Sequence, residues 1–170
     1  NILFNKALFH IAANNNHNEI LQLLFTKIGT VIPSYFFKDI NKLKEITIPS
    51  FINSIGSYSF YGCSSISQII IPESVTYIGP CSFYDCSSLS QITIPTSITS
   101  IKSAAFFGCS SLKRIEILAS IRKIEKCTFE DCLSLTEIII SPSIISIENQ
   151  AFLGCSSLEQ IKIPKSVKIL

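Results

Sequence analysis

The chain has 170 residues, of which 47% are hydrophobic, so it can bury a continuous core. Its net charge is +2 and only 15% of its residues are charged, which argues against a nucleic-acid surface because such a surface needs clustered Lys and Arg. No stretch of about 18 consecutive apolar residues occurs, so we expect no membrane span. The sequence opens without a signal peptide and contains no Met, from which we expect a piece of a longer chain.

Residues 1–28 predict a pair of short helices. Apolar residues cluster at 7–13 and 19–24, and the asparagines at 14–16 separate them because Asn favours caps and turns. The stretch resembles one ankyrin repeat in its FHIAA, NH and EILQLL elements, although it lacks the Thr-Pro start and has Asn16 in place of Gly. A single ankyrin unit cannot bury its own face. Either more repeats precede it, or the pair caps the unit that follows.

The two histidines of the chain, His10 and His17, both lie in this segment. They have two readings: a metal or catalytic pair, or ordinary helix packing and capping. Glu19 is the only acidic residue in the segment and no Cys accompanies it. We therefore favour packing and capping.

The rest of the chain repeats every 23 residues. Phe and Cys each recur at this spacing, at Phe60, Phe83, Phe106, Phe129 and Phe152 and at Cys63, Cys86, Cys109, Cys132 and Cys155. A fixed period of this length predicts a solenoid in which each unit packs on its neighbours. We divide it into a degenerate repeat at 29–48, five full repeats at 49–163 and a partial repeat at 164–170. Ile40 takes the Cys position in the degenerate repeat, so that position requires a buried apolar group.

Each repeat contains a strand of the form L-x-x-I-x-I, as in LSQITI at 89–94. Six such strands, ending at Ile48, Ile71, Ile94, Ile117, Ile140 and Ile163, should pair in parallel at about 4.8 Å. Pro follows most of them and ends the pairing. A serine column follows, and we expect its hydroxyls to satisfy turn amides; it comprises Ser74, Ser97, Ser120, Ser143 and Ser166.

The second half of each repeat predicts a short opposite strand and a tight turn. The V-T-x-I motif at 75–78 alternates apolar and polar residues, which is typical of a strand. In the turn, Gly and Asp alternate at Gly62, Asp85, Gly108, Asp131 and Gly154. This alternation indicates a position with positive φ. We therefore interpret the two aspartates as residues that tolerate this backbone conformation rather than as catalytic acids.

The seven cysteines fit a reduced core better than a disulfide framework. A column of five is odd in number and Ile40 replaces one member, so we expect free buried thiols. Cys81 and Cys127 share another position two repeats apart and cannot pair with each other. A local Cys81–Cys86 disulfide stays open.

The repeat IPxSVTxIGxxAFxxCSSLxxI is similar to that of the BspA-type leucine-rich-repeat family, over about 29–170. The resemblance implies a leucine-rich-repeat solenoid and a place among surface proteins of bacteria and of protozoan parasites such as trichomonads and Entamoeba. It also implies adhesion or binding of host proteins. Departures concentrate at 118–140, where Leu118 replaces Pro, Glu125 replaces Gly and Leu133 replaces Ser. We expect this repeat to be locally distorted or functionally specialised.

An enzyme is disfavoured because the repeats contain no His to pair with Cys or Ser. The spacing of Cys81 to Cys86, and of Cys127 to Cys132, is a weak metal signal that we read as core packing. We predict no catalytic residues, cofactor or metal. A hydrolase or lyase on this scaffold would need an acid or His cluster that the sequence lacks.

The outward positions of the strands predict a protein-binding face with Lys113 and Arg114 as a modest basic spot and Ile70 and Ile139 as apolar anchors. The face comprises Ser67, Gln68, Ile70, Ser90, Gln91, Thr93, Lys113, Arg114, Glu116, Thr136, Glu137 and Ile139. We hypothesise a non-catalytic protein-binding module, a surface adhesin or antigen whose partner is a host or extracellular protein. The alternative is a structural scaffold or spacer inside the cell. The family resemblance favours the cell surface, with the cytoplasm as the alternative, since the ankyrin-like start fits a eukaryotic intracellular protein or an unconventional surface protein.

Overall fold

The computed structural model describes residues 2–15 and 17–168 and shows a solenoid of parallel strands preceded by two helices. The helices are α1 (Ile2–Asn14) and α2 (Asn18–Phe25). The strands in chain order are β1 (Val31–Ile32), β2 (Glu45–Thr47), β3 (Ser54–Ile55), β4 (Gln68–Ile70), β5 (Tyr77–Ile78), β6 (Gln91–Ile92), β7 (Ser100–Ile101), β8 (Arg114–Ile117), β9 (Lys123–Ile124), β10 (Glu137–Ile140) and β11 (Ser146–Ile147). The predicted fold class is confirmed.

The predicted strands of the L-x-x-I-x-I motif form one five-stranded parallel sheet, in the order β10-β8-β6-β4-β2. Each residue pairs with its equivalent one period away, as Glu45 does with Gln68. The sixth strand was predicted wrongly, because 159–163 has no strand structure and Ile163 is 41% exposed. At the opposite edge of the sheet, β2 is held by α2, because Gln22 Nε2 donates to Thr47 O at 2.6 Å.

The predicted opposite strands are present but fall into two sheets, β1-β3-β5-β7 and β11-β9. The interruption lies between Ile101 and Ile124. It coincides with segment 118–122, where Leu118 stands in place of Pro and is 54% exposed. In the other repeats the carbonyl at this position accepts a hydrogen bond from the amide three residues on, as Pro72 O does from Val75 N and Ser141 O does from Ile144 N, each at 3.1 Å. The repeat at 118–140 is thus distorted where its sequence departs from the others.

The turn between the two strand faces is itself a ladder, which we did not predict. Alternate amides donate to carbonyls of the next repeat, as Phe60 N does to Ser82 O at 2.8 Å. Each turn bends at two positive-φ positions. One is the predicted Gly and Asp column, with φ of 69° at Gly62 and 54° at Asp85. The other has φ between 51° and 61° and comprises Tyr35, Tyr58, Cys81, Ala104, Cys127 and Gln150.

Gly and Asp alternate in the first column because neighbouring repeats share one space. A β-carbon at Gly108 would collide with Asp85 Oδ1 of the preceding repeat. The same relation joins Asp39 to Gly62 and Asp131 to Gly154. An Asp in one repeat therefore favours a Gly in the next, in addition to the preference of positive φ for Gly.

We expect Gly108→Ala to lower the free energy of unfolding by about 2 kcal/mol. Alanine at positive φ costs about 1 kcal/mol, and its β-carbon must also displace Asp85. In an Asp85→Gly background the same change should cost only about 1 kcal/mol, because there is no Asp85 side chain to displace. Urea titration of the four variants measures this coupling. Equal costs in the two backgrounds would show that the residues do not share one space.

The core is a continuous column of stacked phenylalanine rings. Centroids of neighbouring rings lie 5.0 to 5.6 Å apart from Phe37 to Phe152. The helix pair closes the first end of this column, because Phe9 and Phe25 contact Phe37 with centroids 5.6 and 5.9 Å away. The helix pair thus covers the end of the core at Phe37, as the capping alternative predicted. The ankyrin resemblance and the repeat boundaries stay predictions. Asn16, part of that resemblance, lies outside the described residues.

The serine column bonds carbonyls rather than the turn amides that we predicted. Ser74 Oγ donates to Ile52 O at 2.6 Å and Ser97 Oγ donates to Val75 O at 2.7 Å, in each case to the preceding repeat. A hydroxyl can donate, and the stacking places a carbonyl within its reach. Ser120 lies in the distorted segment and is exposed.

Candidate functional site

The predicted binding residues lie on the outer side of the five-stranded sheet, which we call the strand face. Strand pairing and the 23-residue period align eight of the twelve in two columns along the solenoid. One column holds Gln68, Gln91, Arg114 and Glu137, and the other holds Ile70, Thr93, Glu116 and Ile139. The parallel register, rather than any turn, therefore brings side chains from separate repeats together.

The position before each strand belongs partly to the scaffold. Ser67 Oγ donates to Lys44 O at 3.2 Å, and Thr136 Oγ1 donates to Lys113 O at 3.1 Å. Ser90 Oγ makes a similar bond to Ser67 O at 3.4 Å. These hydroxyls extend the ladder between repeats, so Ser67, Ser90 and Thr136 also serve the scaffold.

The predicted basic spot is neutralised within the chain. Arg114 Nη2 lies 2.6 Å from Glu116 Oε1, and Arg114 Nε lies 3.2 Å from Glu137 Oε2. Glu116 is two residues further along the same side of the strand, and Glu137 is the equivalent of Arg114 in the next repeat. The centre of the face therefore presents an exposed ion-pair network, with Lys113 exposed beside it.

Only one of the two predicted apolar anchors is exposed. Ile70 is 52% exposed, whereas Ile139 is half-buried. Shallow depressions follow the face beside these residues. One of about 310 Å³ runs from Gln68 to Thr93, and another of about 420 Å³ runs from Glu137 to Lys162.

The column cysteines are free and act as hydrogen-bond donors. Each thiol donates to a Phe carbonyl of the preceding repeat, from 2.8 Å at Cys63 to 3.3 Å at Cys132. The Cys position therefore uses its thiol as well as its apolar bulk, which the Ile40 comparison had missed. Cys81 and Cys86 are both free in the structure, so it does not contain the Cys81–Cys86 disulfide that the sequence left undecided. Burial raises the pKa of the Cys63 thiol to about 12.

We expect thiol titration to separate these cysteines into two groups. Cys63, Cys86, Cys109 and Cys132 are buried and should not react in the native protein, since burial raises the pKa of each and only the thiolate is nucleophilic. Cys81, Cys127 and Cys155 are partly exposed and should react slowly. All seven should react after denaturation without reductant. Fewer than this in the denatured, unreduced protein would reveal disulfides.

The two histidines stand apart in role. His10 Nε2 donates to Phe36 O at 2.7 Å and so ties α1 to the first repeat, as packing predicts. His17 is exposed at the start of α2 and its side chain makes no capping bond, so the capping half of the prediction was wrong.

Among residues 2–15 and 17–168, no three His, Cys, Asp or Glu side chains are grouped to hold a metal ion. Nor is any described helix long and apolar enough to cross a membrane.

A family model described as the BspA type leucine rich repeat region matches residues 12–132 and 78–170, with six copies. The chain belongs to the BspA-type leucine-rich-repeat family. The match begins inside α1, and the ankyrin resemblance of the helix pair stays a prediction. No curated protein matches this BspA-type chain in sequence.

Solved structures show the same solenoid. A leucine rich cell surface protein from Faecalibacterium prausnitzii is 33% identical, with a TM-score of 0.62 over 65% of this chain and 29% of its own. A leucine-rich repeat protein from Bacteroides ovatus is 29% identical, with a TM-score of 0.62 over 81% and 42%. The pneumococcal vaccine antigen PcpA, at 23% identity and a TM-score of 0.54 over 82% and 38%, shares the fold. The chain thus spans less than half the length of each.

Proposed function

We propose that this chain is a non-catalytic protein-binding module, a surface adhesin or surface antigen, and that it binds protein through the strand face. The main support is the alignment of exposed side chains from five repeats on one continuous face with shallow depressions. A leucine-rich-repeat solenoid of this kind presents an extended surface suited to protein contact. The similarity to a protein described as a cell surface protein supports the location.

The ion-pair network gives this face its specificity. Arg114, Glu116 and Glu137 are all exposed or half-exposed, so their pairing contributes little to folding stability. A partner can exchange these pairs for its own at small cost. Exposed, mutually satisfied charges of this kind favour one arrangement of partner charges and repel others.

We expect Arg114→Glu to weaken binding of a protein partner at least tenfold, because it brings three carboxylates together at the centre of the face. The measurement is biolayer interferometry of the 170-residue chain against a panel of purified extracellular proteins. The matched control is Arg122→Glu, the same charge reversal at an exposed position before β9. Ile70→Asp should also weaken binding, by removing the apolar anchor.

The outcomes separate the two hypotheses. A partner whose affinity survives both Arg114→Glu and Ile70→Asp does not use the strand face, and the proposed site is then wrong. A chain that retains no protein from the panel behaves as the spacer alternative predicts.

A further inference from the structure

A depression of about 520 Å³ lies where α2 meets the first two strands of the strand face. Asn18, Glu19 and Gln22 of the helix form one wall, and β2 and β4 form the floor and the other wall. The bond from Gln22 to Thr47 O fixes the helix at the sheet edge, so the depression is a built feature of the fold. We call it the junction pocket.

The charges of the junction pocket have one sign. Glu19 and Glu45 line it and are both exposed, and none of its lining residues is Lys or Arg. Neither carboxylate takes part in an ion pair within the part of the chain that the structure describes. Glu137, further along the same face, is by contrast paired with Arg114. The residues that line the pocket therefore carry two negative charges and no positive one.

The far wall of the pocket contains an exposed apolar side chain. Ile70 is 52% exposed and lines this space together with Gln68 of the same strand. An exposed aliphatic side chain beside two carboxylates complements a long side chain with an apolar stem and a cationic end. Lys and Arg have this form, since their methylene groups cover apolar surface while the charged end stays polar. A carboxylate forms its strongest hydrogen bonds with such cations.

We propose that the junction pocket binds a Lys or Arg side chain of a protein partner, with its stem against Ile70 and its cationic end beside Glu19 and Glu45. The proposal rests on the proposed function, since the partner must lie on the strand face to reach the pocket. It deepens that function by defining a chemical requirement on the partner: a basic residue at the end of the segment that contacts α2.

The test is selection of random dodecapeptides, displayed on phage, by the immobilised chain. We expect the enriched peptides to contain Lys or Arg. The best peptide, made with a fluorescent label, should bind at least tenfold more weakly to the Glu19→Gln/Glu45→Gln variant, and its affinity should fall as salt rises. Replacing its basic residue with the uncharged citrulline or norleucine should cause a similar loss on the wild-type chain. Glu73→Gln/Glu130→Gln is the matched control, which removes the same charge from two turns outside the strand face and should leave the affinity unchanged.

The binding results distinguish failure of the junction pocket from failure of the strand face. Peptides that ignore Glu19→Gln/Glu45→Gln but lose affinity with Arg114→Glu overturn the junction pocket and leave the proposed function standing. Peptides that ignore both sets of variants overturn both. Enrichment of peptides without Lys or Arg overturns the pocket, and no enrichment at all counts against the pocket and the strand face together.

Discussion

Replacing Phe106 with alanine should lower the free energy of unfolding by about 4 kcal/mol. The Phe106 ring is fully buried and lies between Phe83 and Phe129, with centroids 5.3 and 5.5 Å away. The neighbouring rings are each held by the next repeat, so they cannot move to fill the cavity. Each repeat of a solenoid contacts only its neighbours, and the substitution therefore weakens two interfaces at once. Urea denaturation followed by circular dichroism measures the loss.

Phe51→Ala is the matched control. This ring is 42% exposed and lies outside the stacked column, so its removal should cost less than about 1 kcal/mol. Both substitutions remove one phenyl ring, from the buried column at Phe106 and from an exposed position at Phe51. If the two variants unfold at the same urea concentration, the column does not carry the stability that its burial implies.

Periodicity was sufficient to predict what depends on side-chain burial. The spacing of Phe and Cys predicted the core, and the alternation around Ile92 predicted the strands, because both patterns state which residues face inward. The alternation of Gly108 with Asp85 predicted one positive-φ position, since few residues tolerate it. These features are local in one repeat and are copied in the next.

The second positive-φ position could not be predicted, because its residues show no local preference for it. Tyr58, Ala104 and Gln150 adopt φ of 56°, 55° and 61°. At Tyr58 and Ala104 an amide hydrogen bond to the next repeat accompanies this conformation, as in the bond from Tyr58 N to Pro80 O at 2.9 Å, whereas Gln150 adopts it with no such bond among the described residues. Stacking therefore overrides propensity at Tyr58 and Ala104. The same holds at the candidate site, where only the register shows that Glu137 neutralises Arg114.

Glu125 joins two parts of the solenoid where the backbone ladder is interrupted. Its carboxylate accepts hydrogen bonds from Lys102 Nζ, Ser103 N and Ser103 Oγ, each at 3.0 Å, in the preceding repeat. These bonds cross the gap between β7 and β9, which belong to separate sheets. The side chain is only 11% exposed. Glu125, which stands in place of Gly, thus links two repeats whose opposite strands, β7 and β9, do not pair.

We expect Glu125→Ala to lower the free energy of unfolding by about 2 kcal/mol, because it leaves a partly buried ammonium and an amide without their acceptor. The two halves of the solenoid should also become less cooperative, since nearest-neighbour contacts couple the repeats. Hydrogen exchange should show this as faster exchange of amides in β9 than in β5. Urea denaturation should show a broader transition with a smaller m-value.

Acid should remove the same stabilisation from the native chain. Burial acts to raise the pKa of Glu125, but the hydrogen bonds from Lys102 and Ser103 outweigh it and hold the pKa below its ordinary value. The carboxylate therefore stabilises the fold at pH above about 4.3, its value in an unfolded chain, and the stabilisation is lost as pH falls through the lower folded pKa. The difference in unfolding free energy between native chain and Glu125→Gln should shrink over that range.

Glu148 provides the comparison, since it occupies the same position one repeat later. Its carboxylate accepts from Lys123 Nζ at 2.9 Å and Lys126 N at 3.1 Å, but there the backbone ladder is intact because β9 pairs with β11. Glu148→Ala should therefore cost less than about 1 kcal/mol and keep a single sharp transition. If Glu148→Ala lowers cooperativity as much as Glu125→Ala does, the gap beside Glu125 is not the weak point of the solenoid.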